Sequence, residues 1–509
     1  MSPETARRLA ASAGSGLVMA AAFPPFDRGW LACVGLVPLF WAWRGARPRR
    51  AALYGFVAGV VFFGILLSWI SYFGVVAVIP LVAAEAAYWA GAGAVTAWLA
   101  RRGFRGPWVL AAVWVPFEAL RGVWPLGGFP WGQVGGALHD VPPARALASW
   151  GGLLLVSFLV VAGNALLSEL LVAARGRRWS GVGAAVIGLV CIVVLTAVLD
   201  IARVTTTPTK ALRIAVIQGN DLDRYLTPDE LASRLITNKH FALAEKELHG
   251  DYDLIVFPES SLDGDDPTTN PALEARLTDL ARLHHSYVLA NGITFDGEKR
   301  EFNTNLLYAP NGKLVGTYSK RHLVPFGEYV PFRDLLGFID ALKQIPHDFT
   351  PGSRDAVWPI RGVGVGSIIC FESVFPAQVR DVVDKGAQII VVSTNNRSYR
   401  RSGASAQHLA LSQMRAAETG RPVVQAAISG ISAFIDADGV VHDATKLFVP
   451  TVISRQVVGT TGETPYVRFG DWIVWGSAGA VLGMVAAAWW NTRRDRRGRP
   501  APEDPGVAA

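Results

Sequence analysis

Cys370 closes the apolar run VGVGSIIC (363–370), with Glu372 two residues on and a helix-forming stretch after Pro376. A thiol at the end of a core strand, facing the start of a helix, can be both reachable and acidified, as nucleophilic catalysis requires. Two other chemically able side chains also stand where apolar runs stop. Glu259 ends DLIVFPE (253–259) directly after Pro258, and Lys320 ends NLLYAPNGKLVGTYSK (305–320), with Glu328 eight residues further. A thiol, a carboxylate and an ammonium therefore gather at strand ends, where α/β sheets place their chemistry. Singly, each has an ordinary explanation: Cys370 as packing, Glu259 as a helix cap, Lys320 as a solvated lysine, Glu328 as a partner for Arg321. Spacing also leaves open a Cys–His pair using His322 or His408. The remaining cysteines, Cys33 and Cys191, lie inside long apolar segments and are not expected to bridge to Cys370.

The elements that must position these groups are β-branched runs at 212–220, 253–261, 286–295, 304–310, 363–370 and 387–396. Helical patterns at 231–248 and 270–285 alternate with them, which predicts an α/β layered sheet. Asn311-Gly312 and Asp438-Gly439 read as hairpin turns, and TTTPTK (205–210) reads as a polar tether.

Outside that region the composition changes. The stretch 203–466 holds 27 Lys and Arg against 30 Asp and Glu, so the basic excess behind the net charge of +7 lies in the rest of the chain. That rest contains eight segments approaching the ~20 apolar residues a helix needs to cross hydrocarbon: 9–23, 29–44, 51–73, 76–100, 107–124, 149–174, 181–202 and 467–492. If all eight cross, the basic clusters at 7–8, 44–50, 101–105, 175–178 and 493–499 share one side. By the positive-inside bias that side is cytoplasmic, with both termini, and the 205–466 domain is extracytoplasmic. The reading is thus 1–204 with seven spans, 205–466 folded, 467–492 an eighth span, and 493–509 a basic, then disordered, cytoplasmic tail. The basic charge lies in short loops, with no nucleic-acid motif. In the loop LGGFPWGQVGG (126–136), Phe129 and Trp131 are rings suited to the headgroup level and candidate lipid contacts. Glu118 is expected to pair with Arg121, whereas Glu85 and Glu169 show no partner in the sequence.

FPES (257–260), YSKRHLVPFGE (318–328) and CFES (370–373) occur in the order and with the residue types of the nitrilase superfamily. With the flanking spans, the GFPW loop, IQGN (217–220) and MRAAETGRPVV (414–424), the chain closely resembles the apolipoprotein N-acyltransferase family over nearly its full length. The resemblance implies an α/β fold: a nitrilase-like αββα sandwich inserted between the transmembrane helices of an eight-span bundle. It departs at Asn395–Arg401, where an Asn-Asp followed by aromatic residues is common, at Ala427–Gly430, and at Phe371 in place of a frequent tyrosine.

Acyl transfer needs a nucleophile, a proton acceptor and an oxyanion donor. The resemblance assigns these to Cys370, Glu259 and Lys320, maps Glu328 to a supporting carboxylate, and matches Glu372 to an acidic position behind the nucleophile. It implies a multi-pass protein of the bacterial cytoplasmic membrane that moves a fatty acyl chain through a cysteine thioester. The donor would be a phospholipid and the acceptor the N-terminal amine of a diacylglyceryl apolipoprotein, with no metal or organic cofactor. Two other readings are a silent scaffold partnering a polyprenol-phosphate glycosyltransferase and a membrane-tethered amidase.

Overall fold

The computed structural model describes residues 2–202, 206–224, 226–297, 300–336, 342, 345 and 347–497. Seven helices come first: α1 (Pro3–Ala21), α2 (Val37–Trp43), α3 (Pro48–Leu66), α4 (Val75–Ala100), α5 (Pro107–Arg121), α6 (Pro142–Arg175) and α7 (Trp179–Ile201). Prolines open α1, α3, α5 and α6, the position where a missing N–H costs nothing and φ is already helical. A last long helix, Trp472–Arg497, follows the folded domain, and the tail expected to be disordered lies from 498 onward outside the described residues.

Each expected apolar segment contains helix, but the lengths differ. Among the described residues, five helices are long and apolar enough to cross a membrane: 48–66, 77–100, 142–175, 179–201 and 472–491. The 29–43 helical stretch is shorter, and α5 has 15 residues. Helix packing uses small residues, as lipid provides no hydrophobic drive between helices. A Cβ on Gly59 of α3 would lie 2.7 Å from the Ala86 backbone of α4, so these helices meet backbone to backbone.

The strands are β1 (Thr207–Gln218), β2 (Leu254–Val256), β3 (Tyr287–Asp296), β4 (Arg300–Tyr308), β5 (Leu314–Ser319), β6 (Ala356–Ile360), β7 (Val363–Ile369), β8 (Ile389–Thr394), β9 (Val423–Ala427), β10 (Ala433–Ile435), β11 (Val441–His442) and β12 (Thr451–Thr461). They form two six-stranded sheets, ordered β12-β1-β2-β3-β4-β5 and β11-β10-β9-β8-β7-β6. Alternation along β1 explains the layers. Leu212, Ile214 and Val216 face Val363, Val365, Ile389 and Val391 between the sheets, while Ala215 and Ile217 face outward onto Phe241 and Leu277. Helices Leu235–Glu247 and Pro271–Leu283 cover the first sheet, and Pro376–Asp384 and Ala404–Thr419 cover the second. The expected αββα sandwich is what forms.

Both expected hairpins are present, the second pairing Ile435 with Val441. The tether expected at 205–210 is corrected. From Thr207 it is already β1, pairing with Thr461 of β12, because β12, which no sequence pattern singled out, supplies an edge for it.

The domain stands on the helix bundle through helix Ala404–Thr419. Its Leu411 and Met414 belong to the same apolar cluster as Phe62, Trp114 and Leu153 of the bundle. Polar contacts fix the seat: Gln407 Nε2 donates to Pro24 O at 2.8 Å, and Leu153 N donates to Glu418 Oε1 at 2.7 Å. That N–H is free because α6 breaks its helical geometry at Gly151–Gly152.

Candidate active site

Four strand ends converge at one point. Glu259 follows β2, Lys320 follows β5, Cys370 follows β7, and Thr394-Asn395 ends β8. β2 runs parallel to its neighbours in one sheet and β7–β8–β9 run parallel in the other, so these ends open on the same side of the sandwich. Cys370 itself has φ +50°, an unusual value for a residue with a Cβ; it turns the chain from strand directly into the 3-10 turn Cys370–Val374.

Lys320 Nζ lies 3.2 Å from Glu259 Oε1 and 2.8 Å from Glu328 Oε1. Asn303 Nδ2 donates to the same two oxygens at 2.8 and 3.0 Å, and is itself fixed through its Oδ1 by Asn291 Nδ2 at 2.8 Å. Glu259 Oε2 accepts from Asn395 N at 2.7 Å, and Glu328 Oε2 from Val324 N at 2.8 Å. One residue before Asn395, Thr394 Oγ1 donates to Cys370 Sγ at 3.1 Å. The sulfur and the Glu259 carboxylate are thus tied to consecutive residues of one turn.

The electrostatics follow from burial and charge count. Burial, then the Glu259 carboxylate, push the Cys370 thiol up to about 12, against the pull of Lys320. Burial alone would lower Lys320, yet the Glu259 and Glu328 carboxylates hold its ammonium well above the ordinary lysine range. Burial and the Glu259 charge both favour the neutral thiol over the thiolate. Lys320 spends two of its three donors on carboxylates, leaving one for an oxyanion.

The sequence reading placed Glu259, Lys320, Glu328 and Cys370 as candidates, and all four sit in this network. Glu372 lies behind it: Oε1 accepts from the Arg321 and His322 amides at 2.7 and 3.1 Å, and Oε2 from Tyr318 Oη and Ile369 N at 2.8 and 2.9 Å. It staples the Lys320 segment to the cysteine turn. Glu328 pairs with Lys320, and Arg321 instead pairs with Asp381 at 2.8 Å. The Cys–His alternative finds no support in geometry. His408 Nε2 meets Ser373 Oγ at 2.8 Å, and His322 stacks on Phe375 at 3.8 Å; burial pushes both imidazoles down to about 4.

Asn303, Asn291 and Thr394 were not singled out in the sequence. The one signal for them was a run of asparagines inside otherwise apolar strands, at 291, 303 and 305, since buried amides need partners.

The loop 126–136 reaches this site from the bundle. Phe129 stacks on Phe371, next to Cys370, with centroids 5.8 Å apart. Trp131 is corrected: it is 1% exposed, packed against Tyr399 and His408, with Nε1 bonded to Gln407 Oε1 at 2.7 Å, so its ring faces protein rather than lipid. The rings and chains exposed in this region are Val123, Trp124 and Leu126. The expected Glu118–Arg121 pair forms, within a larger cluster. Glu118 accepts from Val134 N at 2.7 Å and stands 3.7 Å from Arg121 Nη2, whose Nη1 bonds Glu85 at 3.0 Å. Glu169 pairs with Arg44 at 2.7 Å.

The model of the apolipoprotein N-acyltransferase N-terminal domain matches residues 15–166, and that of the carbon-nitrogen hydrolases matches 213–466. An apolipoprotein N-acyltransferase of Methylococcus capsulatus is 32% identical, covering 96% of this chain and 97% of that protein. One from Geobacter metallireducens is 31% identical over 93% and 94%. Among solved structures, an amidase from Nesterenkonia of the nitrilase superfamily aligns with 52% of this chain and 95% of its own, at 19% identity and a TM-score of 0.37. With the two family models in tandem and relatives matched from end to end, this chain belongs to the apolipoprotein N-acyltransferase family of the nitrilase superfamily.

Proposed function

We propose that this membrane protein is an acyltransferase that carries a fatty acyl chain from a phospholipid, through a thioester on Cys370, to the N-terminal amine of diacylglyceryl-cysteine in apolipoproteins. The observation that carries the reading is the shared turn: Thr394 bonds the cysteine sulfur, Asn395 bonds the Glu259 carboxylate, and Lys320 bridges that carboxylate to Glu328.

In the first step Glu259 takes the thiol proton as sulfur attacks the donor's ester carbonyl, and the free Lys320 donor meets the oxyanion. Such a donor contributes about 3–4 kcal/mol to a transition state. Collapse expels the lysophospholipid alkoxide, which recovers the proton from Glu259. In the second step the acceptor amine attacks the thioester, and its proton returns through Glu259 to the departing thiolate. Glu328 and Glu372 position Lys320 and the cysteine turn.

The basic clusters favour cytoplasmic termini in the bacterial inner membrane, with the catalytic domain outside; a reporter enzyme inserted near residue 206 should be active only when extracytoplasmic. A silent glycosyltransferase scaffold would not need the complete Glu–Lys–Cys network, and a small-amide hydrolase would not need the site seated on a membrane bundle. The deciding experiment incubates the protein with acyl-labelled phospholipid. Hydroxylamine-sensitive label on Cys370, transferred onward only when an amine acceptor is added, is expected. Label that persists in Cys370→Ala would overturn the acyltransferase reading, and rapid loss of label to water alone would favour the hydrolase.

A further inference from the structure

The turn that holds the sulfur and the Glu259 carboxylate continues toward the helix bundle. Tyr399 packs on Trp69 (centroids 4.6 Å) and Trp131 (6.2 Å), and the next residue, Arg400, lays its guanidinium over Tyr72, 4.8 Å from the ring centre. Tyr72 belongs to the turn Ser68–Phe73 between α3 and α4, and is 42% exposed. Arg400 stands six residues after Thr394, so the chain spans at most about 20 Å between the sulfur's partner and this arginine.

Four arginines lie in this patch, and three are matched by carboxylates: Arg224 with Glu230 at 2.6 Å, Arg397 with Asp221 at 3.4 Å, Arg401 with Asp223 at 3.7 Å. Among the described residues Arg400 has no hydrogen-bond or ion-pair acceptor, and its guanidinium lies over the tyrosine ring. Its backbone is held at φ +49°, ψ −141°, a conformation costly for any residue with a Cβ. A strained, half-exposed, unmatched guanidinium stacked on an aromatic ring keeps the edges of its fork free, in the geometry that takes two oxygens of a phosphate.

We infer that Arg400 binds the phosphodiester of the acyl-donor lipid and so sets donor selection. The inference rests on the acyltransferase reading. The acceptor's reacting group is an amine, which a cation disfavours, whereas a glycerophospholipid carries its phosphate a few bonds from the ester that Cys370 attacks. The same fork would also take free phosphate, and the test separates the two sources.

Full-length protein in mixed micelles is titrated with dioleoylphosphatidylglycerol or dioleoylglycerol, following label on Cys370, for the parent chain, Arg400→Gln and Arg400→Lys. A charge-assisted bidentate contact corresponds to roughly a ten- to hundredfold change in half-saturation. Arg400→Gln should raise the half-saturating phospholipid by that factor at an unchanged maximal rate, leave dioleoylglycerol unaffected, and be partly rescued by lysine. Competition by inorganic phosphate, lost in Arg400→Gln, identifies a site for phosphate in general; no competition identifies a site that requires the lipid. An unchanged half-saturation in Arg400→Gln overturns the inference. If the parent chain takes no label from either lipid, the acyltransferase reading fails instead. Binding of a brominated diether phosphatidylglycerol by Cys370→Ala, read by tryptophan quenching with and without Arg400→Gln, then decides Arg400 alone: weaker binding supports it and equal binding sinks it.

Discussion

Lys320 and Arg121 are both buried cations flanked by two carboxylates. Lys320 lies 3.2 Å from Glu259 and 2.8 Å from Glu328; Arg121 lies 3.0 Å from Glu85 and 3.7 Å from Glu118. What separates them is where the remaining donors go. Arg121 Nη1 also bonds the Phe129 and Trp131 carbonyls at 3.1 and 2.8 Å, and Glu118 holds the Val134 amide. That cluster is directed at backbone, so it clamps the loop that reaches the active site. Lys320 keeps one donor unspent beside a cysteine on a strained turn. A buried charged cluster thus marks chemistry when a donor stays unspent beside a thiol, and architecture when the bonds it makes hold main chain.

Isosteric changes on each side should break the likeness most clearly. Glu259→Gln keeps the shape and removes the proton acceptor, so thioester formation should fall about 10²–10⁴-fold. The same change removes the negative charge that helps raise the cysteine from its ordinary range to about 12. With that charge gone the thiol pKa drops, so iodoacetamide labelling of Cys370 between pH 8 and 10 should become faster while acyl transfer becomes slower. If labelling slows as well, Glu259 is shaping the pocket rather than acting on the proton. Its counterpart, Glu85→Gln, should leave thioester formation within about threefold of the parent chain, because its partner Arg121 keeps both carbonyl bonds.

Next in size are the cation swaps. Lys320→Arg keeps the charge but puts a planar fork where a compact ammonium is buried between two carboxylates; a loss of about 10²-fold in thioester formation is expected. Arg121→Lys reaches fewer acceptors at once and should cost less than tenfold in activity, with a lowered melting temperature. Arg121→Met would leave two buried carboxylates uncompensated and cost about 3–5 kcal/mol in stability. A larger activity loss at Arg121 than at Lys320 would invert the assignment of clamp and catalyst.

The same contrast explains what could be read from the sequence. Cys370, Glu259 and Lys320 were legible because each ends a short run rich in β-branched and other apolar residues, a local pattern. Helix Ala404–Thr419 was not read as an apolar face: His408, Gln407, Gln413, Arg415 and Glu418 are buried in it alongside Leu411 and Met414. It is covered on one side by β9 and on the other by α6, so no polar face remains to give it a helical stripe. Trp131 was misread for a related reason. An aromatic residue in a Gly-Pro loop between apolar spans looks interfacial, and only the approach of Gln407, 276 positions away, shows that a folded domain covers it. Partners of Glu85 and Glu169 were invisible because Arg121 and Arg44 lie 36 and 125 residues away, on other helices.

A small expected effect tests the layer behind Cys370. Glu372 is fully buried, and burial raises its carboxyl, opposed by the Ile369 and His322 amides, Lys320 and the Tyr318 hydroxyl. Of its four bonds only the one from Tyr318 Oη can be deleted without touching the backbone. Tyr318→Phe removes that hydroxyl and leaves Glu372 with three amide donors, so the carboxylate stays satisfied and the loss should be about 1 kcal/mol of stability. If Glu372 only positions the Lys320 segment, the maximal rate of thioester formation should drop less than about fivefold with the donor half-saturation unchanged, and its pH profile should keep its shape. A pH profile displaced by Tyr318→Phe would show instead that Glu372 exchanges a proton during turnover, which would move it from the supporting layer into the group that acts on the reacting atoms.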